Sequence, residues 1–432
     1  MTKHAPVSVL ALFCTLAAVN ADTLLFTDAF ELKVQNDGLL STLGADVPGY
    51  FIDGGTAAGD SAHAYDFIRF ENLFGSGPGQ IPEGATILDA SLTMWTAVRS
   101  NAQSGGPFGV APLLAPFAAT NVYSDYSGSG VGLEAGPSYF NQHTGRPAGG
   151  FSALTQGNAS SADVTLVLQQ WTANPTAAFG FAIQARTTDG WYLETTGSST
   201  VEHRPSLTVN YTTVPTTTFH FQQDMNAYTG TTTALLDANG VTTNGAILGN
   251  AAFVDGPNAA GDSRDIQALL KFDNLFGTAD GQIKPGETIL RAYLVLTTGS
   301  STESHSGGMF DVHQMLVDWD TTSTFSTFGG DGPTVEQNEI GLPLSTVHGM
   351  TQNSQALFDV TDAVRSWQSG AGNFGLNVQS NTTDGWNMFF SGAANPAARP
   401  ELVVVTGVPE PGSAALVGIA ACGLLGLRRR RA

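Results

Sequence analysis

The chain has almost no cysteine. Its only two, Cys14 and Cys422, lie in the apolar segments at its two ends, so the 400 or so residues between them carry no thiol for a disulfide or a cysteine-based metal site. Charge is scarce as well: 12% of the 432 residues are Asp, Glu, Lys or Arg, against roughly 25% in ordinary globular proteins. Basic residues are the scarcer sign, 17 against 37 acidic. Without Lys3, Glu410 and Arg428 to Arg431 the basic count falls to 12 and the acidic count to 36, a net charge of about −24. That balance repels nucleic-acid phosphates and anionic lipid surfaces. No G-x-S-x-G, H-E-x-x-H or P-loop motif occurs, so the common hydrolase, metalloprotease and nucleotide-binding signatures are missing. Long stretches of helical periodicity are missing too.

Two apolar segments bracket what is present. Residues 1–21 carry Lys3 and His4, an apolar run from Val7 to Val19 and small residues at Val19-Asn20-Ala21, the layout of a secretory leader. Leu12-Phe13 is too bulky for Cys14 to be a lipidation cysteine. Residues 408–432 hold Pro409-Glu410-Pro411, an apolar run of about fifteen residues, short of the roughly twenty that a membrane span needs, and then Arg428-Arg429-Arg430-Arg431. The arginines suit a cytoplasmic end by the positive-inside rule. This tail resembles the PEP-CTERM sorting signal of Gram-negative bacteria. The resemblance implies an exosortase-type partner, transient anchoring in the inner membrane and delivery to the cell surface or extracellular matrix.

The middle of the chain is a tandem duplication. "FENLFGSGPGQIPEGATILDASL" from Phe70 aligns without gaps on "FDNLFGTADGQIKPGETILRAYL" from Phe272. "FGFAIQARTTDGW" from Phe179 matches "FGLNVQSNTTDGW" from Phe374, and "RPSLTV" from Arg204 matches "RPELVV" from Arg399. The units run over 22–213 and 214–407, joined through a Thr-rich linker. Alternating apolar residues bounded by Gly, Pro, Asn and Asp predict half-buried strands, hence an all-β fold of two sandwich domains. One short helix is expected in each unit, with Val164, Val167, Leu168 and Trp171, or Val360, Ala363, Val364 and Trp367, on its buried face. Asp163 and Asp359 are the expected N-caps. Trp191 and Trp386 follow Asp-Gly turns of expected hairpins and share strand faces with Leu193 and Met388, which places them in the core.

Taken together, "LLKFDNLFG", "T-I-L-x-A-x-L", "D-V-T…W", "TDGW" and "RP-x-L-x-V" resemble the DNRLRE family of secreted jelly-roll sandwiches, relatives of carbohydrate-binding modules. The resemblance implies a binding or structural module, with alginate-like or other acidic polysaccharides as ligand class. The family's acidic "W-x-E" segment is partly matched by Trp319-Asp320, while Phe117 replaces the Trp in the first unit.

Catalysis finds little support in the repeat. His63 aligns with Asp265, His203 with Ala398 and His313 with Ala111, so no histidine recurs at its partner position. The expectation is a non-catalytic surface or matrix protein contacting exopolysaccharide; a secreted polysaccharide hydrolase or lyase and a purely structural spacer are the alternatives. Strand parity over Ile87 to Trp95 puts Leu88, Ala90, Leu92 and Met94 on the apolar face and leaves Trp95 outside. Arg291 and Tyr293 take the matching outer face in the second unit, and Arg69 and Lys271 point outward from neighbouring strands. These five residues are the candidate glycan contacts, an aromatic ring beside a cation suiting a uronic acid. Asp53 and Asp60, repeated as Asp255 and Asp262 in Gly-rich loops, are candidate calcium ligands, against ordinary Asp-Gly turns.

Overall fold

A computed structural model describes residues 21–35, 49–53, 64–122, 125, 148–185, 189–238, 251–256, 265–301, 304–380 and 382–407. The leader and the sorting tail, including Pro409, Glu410, Pro411 and Arg428 to Arg431, lie outside the described residues, as do Asp60 and Asp262. Among the described residues, no helix is long and apolar enough to cross a membrane.

The first unit contributes β1 (Asp22–Phe26), β2 (Ala29–Gln35), β3 (Gly49–Ile52), β4 (Ala64–Phe70), β5 (Thr86–Trp95) and β6 (Phe108–Pro112). It continues with β7 (Gly150–Phe151), β8 (Ala159–Asp163), β9 (Phe181–Ala185), β10 (Trp191–Glu194) and β11 (Ser206–Thr212). The second unit repeats the series as β12 (Thr216–Gln222), β13 (Thr231–Asp237), β14 (Ala251–Val254), β15 (Ile266–Phe272), β16 (Thr288–Thr297) and β17 (Ser306–Met315). It ends with β18 (Ile340–Met350), β19 (Gln355–Asp359), β20 (Leu376–Ser380), β21 (Trp386–Phe389) and β22 (Glu401–Gly407).

Each unit packs a four-stranded sheet against a five-stranded one. The orders are β1-β11-β5-β8 and β2-β4-β9-β6-β7, matched by β12-β22-β16-β19 and β13-β15-β20-β17-β18. The named pairings are antiparallel, and the chain passes back and forth between the two sheets, which is a jelly roll. The all-β expectation of two tandem jelly-roll sandwiches is what the structure has.

The pairs β3–β10 and β14–β21 stand apart from the larger sheets. This corrects the expected hairpins: β10 does not pair with β9, nor β21 with β20. Instead Asp189 Oδ2 accepts hydrogen bonds from Ser104 Oγ (2.9 Å) and Gly105 N (2.8 Å), fastening a distant loop. Asp384 holds Ser306 Oγ (3.1 Å) and Gly307 N (2.7 Å) in the same way.

Between the sheets lies one large apolar cluster per unit. Trp191 and Trp386 are fully buried there, with their indole N–H groups donated to Thr96 Oγ1 (3.0 Å) and Thr298 Oγ1 (3.2 Å). Trp171 and Trp367 close the same clusters from helices Thr165–Ala173 and Thr361–Gln368, whose buried faces are the expected ones. The caps differ by one position. Val164 and Val360 occupy the N-cap sites, and the preceding Asp163 and Asp359 accept from the first helical N–H, Thr165 (2.8 Å) and Thr361 (2.9 Å). An Asx turn leads into each helix in place of a side-chain N-cap.

A second apolar layer covers the outer side of each five-stranded sheet. Leu32, Val34, Tyr65, Phe67, Leu113 and Phe117 form it in the first unit. Leu236, Leu269, Met315, Trp319, Phe325 and Phe328 are among its members in the second. Phe117 and Trp319 hold the same place, so the partly matched family segment serves as a lid over this sheet face. One consequence is that the ionisable side chains of β2, Glu31 and Lys33, and Asp66 of β4 fall on the faces turned toward the sandwich interior.

Candidate functional site

The burial of β5 alternates as parity requires: Ala90, Leu92 and Met94 are buried, while Asp89, Ser91, Thr93 and Trp95 are half-buried on the outer face. A bulge at Leu88 precedes Asp89, and Leu290 makes the same bulge before Arg291. The added residue re-aims the side chain that follows. In both units that side chain points at the other unit. Arg291 Nη2 pairs with Asp89, and its Nη1 lies 2.6 Å from Asp359 Oδ2.

Asp89 and Arg291 are matched positions of the repeat. Ser152 and His348, matched through the β6–β7 and β17–β18 registers, also meet, Ser152 Oγ lying 3.2 Å from His348 Nδ1. Contact between equivalent positions is the pattern of a two-fold interface. Unlike residues at those positions turn a like-charge meeting into an ion pair. The backbones approach closely here: a Cβ on Gly150 would come within 2.2 Å of the Gly349 carbonyl oxygen.

Along the seam runs an open cleft of about 220 Å³ whose walls include Ser161, Asp163, His348, Gln355 and Asp359. Burial, set against the Thr165 hydrogen bonds and reinforced by Asp89 and Asp359, pushes the Asp163 carboxyl up to about 6. Burial lowers the His348 imidazole and raises the Tyr293 phenol. For Arg291, burial acts downward, but the Asp89 hydrogen bond and the Asp359 and Asp89 charges outweigh it and raise the guanidinium.

Of the five candidate glycan contacts, the structure brings Trp95 and Arg291 onto one strip. Ser161, a wall of the cleft, hydrogen-bonds Thr93 (2.7 Å), which precedes Trp95 by two on the same face. Trp95 and Asp89 are six residues apart, about 20 Å along the strand. Tyr293 is corrected: it is 3% exposed, packed with Val295, Leu357, Val403 and the first unit's Leu166, so the expected open face is interface. Arg69 and Lys271 lie on the five-stranded sheets. Arg69 reaches Glu71 (2.8 Å) and the Phe117 carbonyl and lies over the Phe30 and Phe117 rings, while Lys271 lies 3.3 Å from Asp318. All three cations are therefore held by carboxylates of the chain itself, which weakens the case for a uronic-acid ligand.

Sequence reasoning missed the partners of Trp95. Its ring stacks on His203, centroids 4.1 Å apart and planes 15° from parallel. Glu194, buried, fixes that imidazole through Nδ1 (3.0 Å) and is itself held by Ser198 Oγ (2.5 Å). Nearby, Arg99 lies 3.9 Å over the Tyr192 ring, which packs on Phe51 at 4.6 Å. The one available signal was that Trp95, His203 and Tyr192 lack counterparts in the repeat, where Thr297, Ala398 and Asn387 stand.

The calcium loops are only partly described. Asp53 and Asp255 occupy matching bridge positions opposite Ala64 and Ile266, and Asp255 accepts from Gly256 N (3.0 Å), which is turn chemistry. Among the described residues, no three acidic, histidine or cysteine side chains converge as a metal site.

No family model matches the chain, and no curated relative does. The solved structures it is similar to include an allantoicase, at 9% identity over 87% of this chain and 93% of that one, with a TM-score of 0.17. Infectious bursal virus derived T=1 particles follow at 11% identity, covering 93% of this chain and 76% of that one, with a TM-score of 0.15. Scores this low carry no argument about fold or function.

Proposed function

We propose that the chain is an exported, non-catalytic protein of the cell surface or extracellular matrix that contacts polysaccharide through the Trp95 strip of its first unit. The observation that carries the reading is the Trp95–His203 stack, fixed by Glu194 on a half-exposed sheet face and continued by Thr93, Ser91 and Ser161. A flat aromatic surface beside a row of hydroxyls suits the apolar face and the hydroxyl groups of a sugar. The ligand class is a neutral, hydroxyl-rich glycan, since Arg69, Lys271 and Arg291 are already paired with Glu71, Asp318, Asp89 and Asp359. The second unit, lacking the stack, serves as support through the seam. Export and sorting rest on the leader and the three-part tail.

Affinity chromatography on neutral and uronic-acid polysaccharides tests this. Trp95→Ala should weaken retention on a neutral glycan about tenfold, equivalent to ~1.4 kcal/mol, with the melting temperature nearly unchanged. Unaltered retention in a folded Trp95→Ala protein, or no retention of the wild type on any glycan, refutes the reading.

A further inference from the structure

Three ionisable side chains, Glu31, Lys33 and Asp66, are buried inside the first sandwich at 1%, 8% and 0% exposure. Lys33 and Asp66 are direct partners in the antiparallel register of β2 and β4, and Glu31 stands two residues before Lys33 on the same face. Direct cross-strand partners hold their Cβ atoms about 4.5–5.5 Å apart, within reach of a lysine stem. Ile68 and Ile183, on the interior face, are the strand partners of Glu31 and Asp66. One Glu31 oxygen accepts from Thr196 N (2.7 Å) and Oγ1 (3.1 Å). Among the described residues, the other Glu31 oxygen and both Asp66 oxygens are buried without a hydrogen-bond donor.

The second unit is an internal comparison. Its residues at these positions are Thr233, Leu235 and Ala268; Leu235 pairs with Ala268 in the same register, and Thr233 bonds Ser391 at 2.6 Å. The fold thus works with an apolar pair here. Burying carboxyls costs several kcal/mol each unless they are fully paired, so two with undonated oxygens beside a buried lysine, in one copy only, call for a use.

We propose that Lys33 and Asp66 join in an intramolecular isopeptide bond, with Glu31 as the proton carrier. Glu31 takes a proton from the Lys33 ammonium, and the neutral amine attacks Cγ of the protonated Asp66 carboxyl. The N–C bond forms, the C–OH bond breaks, and one water leaves once Glu31 has relayed a proton to the departing hydroxyl and recovered one from nitrogen. Charges balance: an ammonium, a carboxylate and a carboxylic acid become an amide and a carboxylic acid, with no oxidant or cofactor. Burial, opposed by the Thr196 hydrogen bonds, pushes Glu31 up to about 7, and burial with the Glu31 charge keeps Asp66 well above the usual carboxylate range. Burial therefore favours the protonated form of Asp66 beside a Glu31 that titrates near neutral pH. Fixed neighbours reach effective concentrations on the order of 10⁵ M or more, and the apolar interior disfavours the return of water. The bond would tie β2 to β4 in a chain whose described core has no disulfide.

Digestion of the full-length exported protein with a Lys/Arg-specific protease, followed by mass spectrometry, tests the proposal. The expected product is a branched peptide joining the Lys33 and Asp66 segments, lighter than their sum by one water and uncut after Lys33. Glu31→Gln, which keeps an oxygen for Thr196, should fold and yield the two linear peptides. The triple variant Glu31→Thr, Lys33→Leu, Asp66→Ala, carrying the second unit's residues, should also fold and stay linear. Cleavage after Lys33 with two linear peptides in the folded wild type overturns the bond, and full linkage in Glu31→Gln overturns the role of Glu31.

Discussion

Replacing Arg291 with methionine removes the cation between the two units while keeping most of its stem against the seam. The magnitude follows from its surroundings. The Arg291 side chain is 29% exposed and its partners Asp89 and Asp359 are 27% and 39% exposed, between the surface and buried limits. Exposed ion pairs contribute about 0.2–1 kcal/mol, and breaking a buried pair costs about 3–5 kcal/mol. Two such contacts, with Asp89 and Asp359 left facing each other near Asp163, place the loss at about 2 kcal/mol after discounting for solvent screening. For units of this size that lowers the melting temperature by roughly 4–8 °C. Scanning calorimetry of the full chain measures it, and a double-mutant cycle with Asp89→Asn should show about 1 kcal/mol of coupling. A shift below about 1 °C, or no coupling, would mean that Arg291 is a surface charge and that the two-fold contact does not hold the units together.

Two further outcomes concern the seam and the tail. Asp163 is held at about 6 in the folded chain against an ordinary 3.8, so the folded state binds its proton more tightly than the unfolded one. Its contribution therefore costs nothing below about pH 4 and grows as pH rises to 6; Asp163→Asn, which keeps the Thr165 bond, should recover about 3 kcal/mol between those limits, and an unchanged denaturation profile contradicts this. Changing Pro409-Glu410-Pro411 to alanines should leave the protein in the inner membrane with its tail uncut, whereas continued surface display, read by cell fractionation, removes the sorting proposal.

Several local features were legible in sequence because they depend on short-range periodicity. The duplication, the alternation from Ile87 to Trp95 and the buried faces of both short helices needed only spacings of two or of three and four residues. The four core tryptophans followed from the same parity. Hairpin pairing was not legible: an Asp-Gly turn favours a reversal of the chain, but which strand accepts the returning one depends on the partner edge on offer. Here β3 and β14 were the partners, far away in the chain.

Parity says which side chains share a face, but not which face is covered. Glu31, Lys33 and Gln35 alternate with Leu32 and Val34, a pattern that by itself turns the charges outward. The structure turns them inward, because Leu113, Phe117 and their neighbours come from later in the chain to bury Leu32 and Val34 from outside. Tyr293 obeys its predicted parity and is still buried, since the face it occupies is closed by the other unit. The residues alone determined the two repeats, their β-periodicity and the pairing partners' chemistry. Which polar groups lost their water, and hence which can bind a sugar, form an ion pair across the seam or lie buried on neighbouring strands as a lysine and a carboxyl, was decided only when segments distant in the chain packed together.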